Sequence, residues 1–134
     1  MPVITNIEDL RVLAEKRVPR MFYDYADSGS WTEGTYRANE ADFHKIKLRQ
    51  RVAVNMENRS LATKMVGMHT KMPVAIAPVG LTGMQCADGE IKAAKAAEKF
   101  GIPFILSTMS ICSIEDIAAN TTAPFSACRS LSRT

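Results

Sequence analysis

Polar and apolar positions change their period along this chain, and the changes mark its elements. At the start, Ile7, Leu10, Leu13 and Ala14 recur at helical spacing, with Thr5 or Asn6 placed to cap and Glu8 and Asp9 in the first turn. Lys16 and Arg17 suit the last turn, and Pro19 breaks this helix while opening a second one to Ala26 that carries Met21, Phe22 and Tyr25. The polar cluster Asp27-Ser28-Gly29-Ser30 ends that helix, and a third is predicted from Thr32 to His44. At Ile46 the period becomes two. Ile46 and Leu48 alternate with Lys47 and Arg49, which predicts a half-buried strand, and Val52, Val54 and Met56 continue an extended stretch. Thr63 to Thr70 reads as a small hairpin turning at Gly67.

From Met72 the rhythm is strand, helix, strand, helix, strand. Val74-Ala75-Ile76-Ala77 is apolar throughout, as in strands buried on both faces of a parallel sheet, and Pro78 stops it. A loop with Gly80 and Gly83 leads to a helix from Asp88 to Phe100, whose inner side is Ile91, Ala93, Ala94 and Ala97, and Gly101 ends it. Pro103 to Ser107 is a second apolar strand, Ser113 caps a short helix over Ile114 to Ala118, and Ala123-Pro124-Phe125 begins a third strand. This order means β/α units with right-handed crossovers. The fold class is α/β, either a doubly wound sheet or a (β/α)8 barrel, which takes about 250 residues. No GxGxxG follows the first strand, which speaks against a dinucleotide-binding sheet. The expected organisation is residues 1–71 as helices and a hairpin, 72–125 as the first β/α units, and 126–134 as a polar tail.

Composition narrows the classes. The 134 residues are 46% hydrophobic and 23% charged, as expected of a globular domain, and the net charge of +3 comes from interspersed signs without a basic stripe. A nucleic-acid partner is therefore not expected. Cys86, Cys112 and Cys128 are odd in number and widely spaced, without a CxxC pair, which argues against a disulfide framework or a structural zinc site. The N-terminus lacks a signal-peptide pattern, and the apolar runs are too short to span a bilayer. The expectation is a cytoplasmic protein, with any peripheral contact to the inner membrane made through other regions.

Local signals leave the chemistry open. Ala77-Pro78-Val79-Gly80 is either a proline strand stop or backbone facing a flat cofactor at the carboxyl end of a barrel strand. Ser107 and Thr108 either cap a strand end or donate to a ligand, and Met109 beside them either lines a pocket or fills core. Tyr23 and Tyr25 flank Asp24 on a helix, where a hydroxyl binds a carboxylate or the ring packs. His44 and His69 have no partner at metal-ligand or nucleophile spacing, so no metal is expected. Asp88, Glu90, Glu115 and Asp116 read as helix-start charges.

The ordered set Tyr23-Asp24-Tyr25, Ser28-Gly29, Asn39, Phe43, Leu48-Arg49, Met72 to Pro78, Gly89-Glu90 and Leu106-Ser107-Thr108 resembles the N-terminal part of the FMN-dependent L-2-hydroxy acid dehydrogenase/oxidase family, of the L-lactate dehydrogenase and glycolate oxidase type. The resemblance runs from Asn6 to Phe125. It implies the helical segment and first two to three β/α units of a (β/α)8 barrel, with FMN as cofactor of the full-length enzyme and an L-2-hydroxy acid as substrate. By the same resemblance Tyr25 binds the substrate carboxylate, while Ala77, Pro78, Val79 and Ser107 face the flavin. Full-length relatives are expected to be homo-oligomers. The family's general-base histidine, paired arginines, flavin-side lysine and phosphate loops belong to a later part of its sequence. No catalytic residue is therefore expected in this chain. Gln50 replaces the family's proline, Met109 stands where the plant oxidase has tryptophan, and Ser126 to Thr134 departs from the family's third strand. The expectation is an N-terminal portion, inactive alone, and the alternative is an interaction module or one half of a split barrel completed by another chain.

Overall fold

Two short polar side chains start the structure. In the computed structural model, which describes residues 3–124 and 126–128 (of Cys128 the backbone only), Asn6 accepts from the Asp9 amide at 3.0 Å, and the Asp9 carboxylate accepts from the Asn6 amide at 3.2 Å. This reciprocal capping box opens α1, Ile7–Arg17. Ser113 and Asp116 repeat the device at the start of α6, Ile114–Asn120, at 3.0 and 3.1 Å. Losing either cap acceptor orphans helix amides. Replacement of Ser113 by alanine is expected to cost about 1 kcal/mol, read as a lowered urea midpoint with an unchanged slope.

The chain divides into two compact units, Met1–Asn58 and Arg59–Thr134. In the first, α1 is followed by α2, Arg20–Ala26, and α3, Gly34–Ala41, which tightens into a 3-10 turn at Asp42–Lys45. The helix expected from Thr32 to His44 is thus shorter at its start and changes pitch at its end. A hydrogen-bond cluster joins its elements: Arg11 donates to the Tyr23 hydroxyl at 2.9 Å and to Asp27 at 3.0 Å, and Tyr23 donates to the same Asp27 oxygen at 2.6 Å. Tyr36 adds a longer bond to the other oxygen at 3.4 Å. Tyr23 holds Asp27 well below the usual carboxylate range; burial opposes this, and the Arg11 guanidinium reinforces it.

The half-buried strand expected at Ile46 and Leu48 does not form. Both side chains are exposed, Leu48 at 92%, and residues 46–62 are irregular. Alternation makes a strand only where another backbone offers a pairing edge, and no described residue does so here.

In the second unit, β1 (Thr63–Met65) and β2 (Met68–Thr70) pair antiparallel, with Thr63 opposite Thr70. Val66 and Gly67 both have positive φ, 47° and 83°, which is the two-residue turn that matches strand twist, as the glycine predicted. The Lys71 amide then donates to the Gly101 carbonyl at 2.9 Å, so the hairpin groups with the β/α segment.

The first barrel-type strand is shorter than its apolar run. Only Ile76 pairs, parallel to Phe104, while the Val74 amide is taken by the Met72 carbonyl at 2.8 Å and Pro73 and Pro78 have no N–H to give. Next come α4, Thr82–Gln85, and α5, Gly89–Phe100, closed by Gly101 at φ 83°. The second strand, β3 (Ile105–Ser107), pairs parallel with β4 (Ser126–Cys128) after α6. The third strand therefore includes residues assigned to the tail on sequence grounds. Phe125 and residues 129–134 lie outside the described residues. The core joins α5, α6 and the strands through Ala94, Ala97, Phe104, Leu106, Cys112 and Ile117, with Ile76 and Ile91 packed against it.

Candidate functional site

The carboxyl ends of the first two strands lie side by side. The Ile76 amide donates to the Pro103 carbonyl at 2.9 Å, and the Ile105 amide donates to the Ile76 carbonyl at 3.1 Å. Beyond Ile76 the chain leaves the sheet, and Ala77, Pro78 and Val79 are exposed. It returns at Leu81, whose amide donates to the Met109 carbonyl at 2.9 Å. The closeness of this return requires Gly80, because a Cβ there would stand 2.9 Å from the Met109 Cβ.

Ser107 ends the second strand beside this loop. Its hydroxyl accepts from the Met109 amide at 3.1 Å, which leaves its proton free to donate. The missing Cβ of Gly80 would be 3.7 Å from that hydroxyl oxygen. The loop from Ala77 to Gly80 thus passes beside Ser107 at the strand ends. Among the described residues, the amides of Ala77 and Val79 and the carbonyl of Ala77 make no backbone hydrogen bond. Such an exposed row of unspent donors and acceptors suits a flat heterocycle with a polar rim. The residues present fit one edge of a flavin.

Sequence reasoning missed Glu90 as part of this region. It was read as a helix-start charge, yet it is only 2% exposed. One carboxylate oxygen accepts from the Ile111 amide at 3.1 Å and the Gly83 amide at 3.3 Å. Burial pushes this carboxyl up, but the amides of Ile111, Glu90 itself and Gly83, with the Cys112 thiol, outweigh it and leave it below its ordinary value. Burial and the Glu90 carboxylate together push the Cys112 thiol up. A chamber of about 120 Å³ lies behind the edge, bounded by Ile76, Ala77, Val79, Thr82, Glu90 and Phe104. A larger open groove runs along the hairpin past His69, Lys71 and Gly101 and contains no predicted site residue.

Tyr25 belongs to the first unit, on α2, and is 67% exposed. The structure separates the roles of the two neighbouring tyrosines: Tyr23 is spent on Asp27, whereas the Tyr25 hydroxyl has no partner among the described residues. His44 lies in the 3-10 turn and His69 in β2, both exposed. Among the described residues no group of three His, Cys, Asp or Glu side chains could hold a metal ion, and no helix is long and apolar enough to cross a membrane.

The model of the FMN-dependent dehydrogenase family matches residues 14–131. The chain belongs to that family. Among members of the FMN-dependent dehydrogenase family, an L-lactate dehydrogenase of Ectopseudomonas mendocina is 49% identical over 116 residues, which cover 87% of this chain and 31% of that protein. An L-lactate dehydrogenase of Pseudomonas syringae is 45% identical over 117 residues, again 31% of its length. The chain thus spans about a third of the length of the curated relatives it matches. Among solved structures, a soluble mutant of the membrane-associated (S)-mandelate dehydrogenase from Pseudomonas putida superposes with a TM-score of 0.87 at 38% identity, covering 93% of this chain and 36% of that one. A further (S)-mandelate dehydrogenase, described as a monotopic membrane protein, gives 0.88 at 36% identity over 94% of this chain and 34% of that one. The β/α units described above are therefore the opening units of a (β/α)8 flavoenzyme barrel, without barrel closure among the described residues. FMN is the cofactor of the full-length family.

Proposed function

We propose that this chain supplies one flavin-facing edge and the substrate-carboxylate contact of an enzyme oxidising an L-2-hydroxy acid, L-lactate or a close analogue, to the 2-oxo acid. The observation that carries the reading is the juxtaposition of the exposed Ala77–Val79 backbone with the Ser107 hydroxyl at the carboxyl ends of adjacent barrel strands. Family membership and the L-lactate dehydrogenase relatives support the substrate class. FMN, when bound, supplies the two-electron acceptor for this oxidation. Ala77, Pro78 and Val79 would line it through backbone groups, and Ser107 would donate its free hydroxyl proton where negative charge builds on reduction. Tyr25 would donate its unspent hydroxyl to the substrate carboxylate. His44 and His69 both precede the first barrel strand, so the general base is assigned to a later histidine of the family sequence. On this reading the chain alone does not turn over substrate. Peripheral membrane contact is also proposed, supported by the monotopic relative.

The test mixes the purified chain with the complementary C-terminal part of the Ectopseudomonas relative and follows quenching of FMN fluorescence and L-lactate-dependent dye reduction. Flavin capture and dye reduction on mixing are expected, with neither partner active alone. Tyr25→Phe is expected to weaken binding of a 2-oxo acid carboxylate about tenfold or more while FMN capture is kept. Wild-type carboxylate affinity in that variant would remove Tyr25 from the site. Absence of flavin capture by the mixture would refute the reading and favour a non-catalytic interaction module.

A further inference from the structure

We propose that Glu90 is a positioning residue that locks the ends of the first two barrel strands into one flavin-facing edge. The proposal rests on the reading of that edge given above. Glu90 stands in the first turn of α5, where a carboxylate gains its helix-dipole benefit while remaining in water. Here it is instead withdrawn from solvent, and its second oxygen is buried with no partner among the described residues. Burying a charge in this way is costly unless the bonds it makes do something a solvated carboxylate would not.

Those bonds reach two different segments, α4 and the loop after β3. The Gly83 amide belongs to the segment that follows Ala77–Val79, and the Ile111 amide to the segment that follows Ser107. A single oxygen thus ties together the two segments that directly follow the proposed flavin contacts. The Leu81–Met109 backbone bond lies between this tie and the strand ends, and the chamber behind Ala77 and Val79 has Glu90 in its wall.

The other end of the same helix offers a built-in control. Glu98 accepts from the amides of Thr122 and Ala123 at 3.0 and 3.1 Å, and from the Thr122 hydroxyl. This second tie anchors the segment entering β4, at the opposite end of the strands from the flavin-facing edge. In a β/α barrel that end serves stability, whereas the carboxyl ends carry the chemistry. One helix therefore holds two carboxylate ties with separable consequences.

The experiment compares E90A, E90Q and E98A in the full 134-residue chain by amide hydrogen exchange, and then in the flavin-loaded mixture with the complementary part. E90A is expected to lower protection at Leu81 about tenfold, with E98A leaving that amide unchanged. E90Q, whose carbonyl still accepts from both amides, is expected to restore most of the protection. In the mixture, E90A is expected to weaken FMN affinity about tenfold, while E98A of matched thermal stability stays within about twofold. Wild-type protection at Leu81 in E90A, or an equal loss in E98A, would overturn the proposal. If E90A fails to fold, E90D keeps the charge but shortens the reach, and the same loosening or its absence decides. A wild-type mixture that captures no FMN counts against the proposed function, and the exchange result still decides whether Glu90 couples the two segments.

Discussion

Replacement of Ile117 by alanine is expected to abolish most of the cooperative melting of the second unit. Ile117 is fully buried where α6 meets β3 and α5, and its neighbours in the core are Ala94, Ala97, Phe104, Leu106 and Cys112. Two of these are alanines, which have no side-chain freedom with which to refill a hole. The loss therefore combines the transfer term with an uncollapsed cavity, about 2–5 kcal/mol. Against a typical domain stability of about 5–15 kcal/mol, and with so few buried apolar side chains, that decides whether the unit folds. The measurement is a urea or thermal melt of the full chain followed by circular dichroism, with Ile117→Val as companion. The valine variant is expected to lose only about 0.5–1.5 kcal/mol. An alanine variant melting within about 2 °C of the parent would show that this core is not what holds the unit together.

Gly89→Ala is expected to be the second most damaging single change, although alanine is the better helix former. A Cβ on residue 89 would come within 2.7 Å of the Thr82 Cγ2 and 3.0 Å of the Thr82 carbonyl oxygen. The methyl belongs to a β-branched side chain with a stiff χ1, and the oxygen is backbone, so neither gives way cheaply. Overpacking of this kind costs about 1–3 kcal/mol. The intrinsic preference of a helix for alanine over glycine, about 1 kcal/mol, works in the opposite direction and is outweighed where the clash is with backbone. As a comparison, Gly34 has open space around its would-be Cβ, and alanine there is expected to be neutral or stabilising. Equal melting of the two alanine variants would show that the approach of α4 to α5 is not tight.

These effects separate what was readable in the chain from what was not. The cap at Asn6, one of the two residues the sequence offered, the cap at Ser113, the turn at Gly67 and the helix stop at Gly101 are set by residues within a few positions of one another, and each forms in the structure. The candidate residues Ala77, Pro78, Val79 and Ser107 were named from family resemblance, and the nearness of their two strand ends follows from parallel pairing of Ile76 with Phe104. Failures occurred where a distant partner decides. Ile46 and Leu48 alternate like a strand but meet no edge, and the Ala75 and Ala77 positions flanking Ile76 stay outside the ladder. α4 was hidden inside a loop that glycines made look irregular. Glu90 carried the usual mark of a solvated first-turn acid, because its burial depends on Gly83 and Ile111, which close over it from either side in sequence.

The strand order has a consequence for how the second unit is made. Within its β/α segment each strand pairs in parallel with the next one along the chain, Ile76 with Phe104 and β3 with β4, and each intervening helix packs over the junction it has just crossed. Among the described β/α strands each partner lies one β/α turn away, so the loop-closure entropy of each of these steps is that of one such turn. A chain emerging from the ribosome can add these strands one at a time to a growing edge, with Leu106 buried as soon as the helix after it has formed. Assembly of these units is vectorial, and each new strand joins the edge left by the one made just before it.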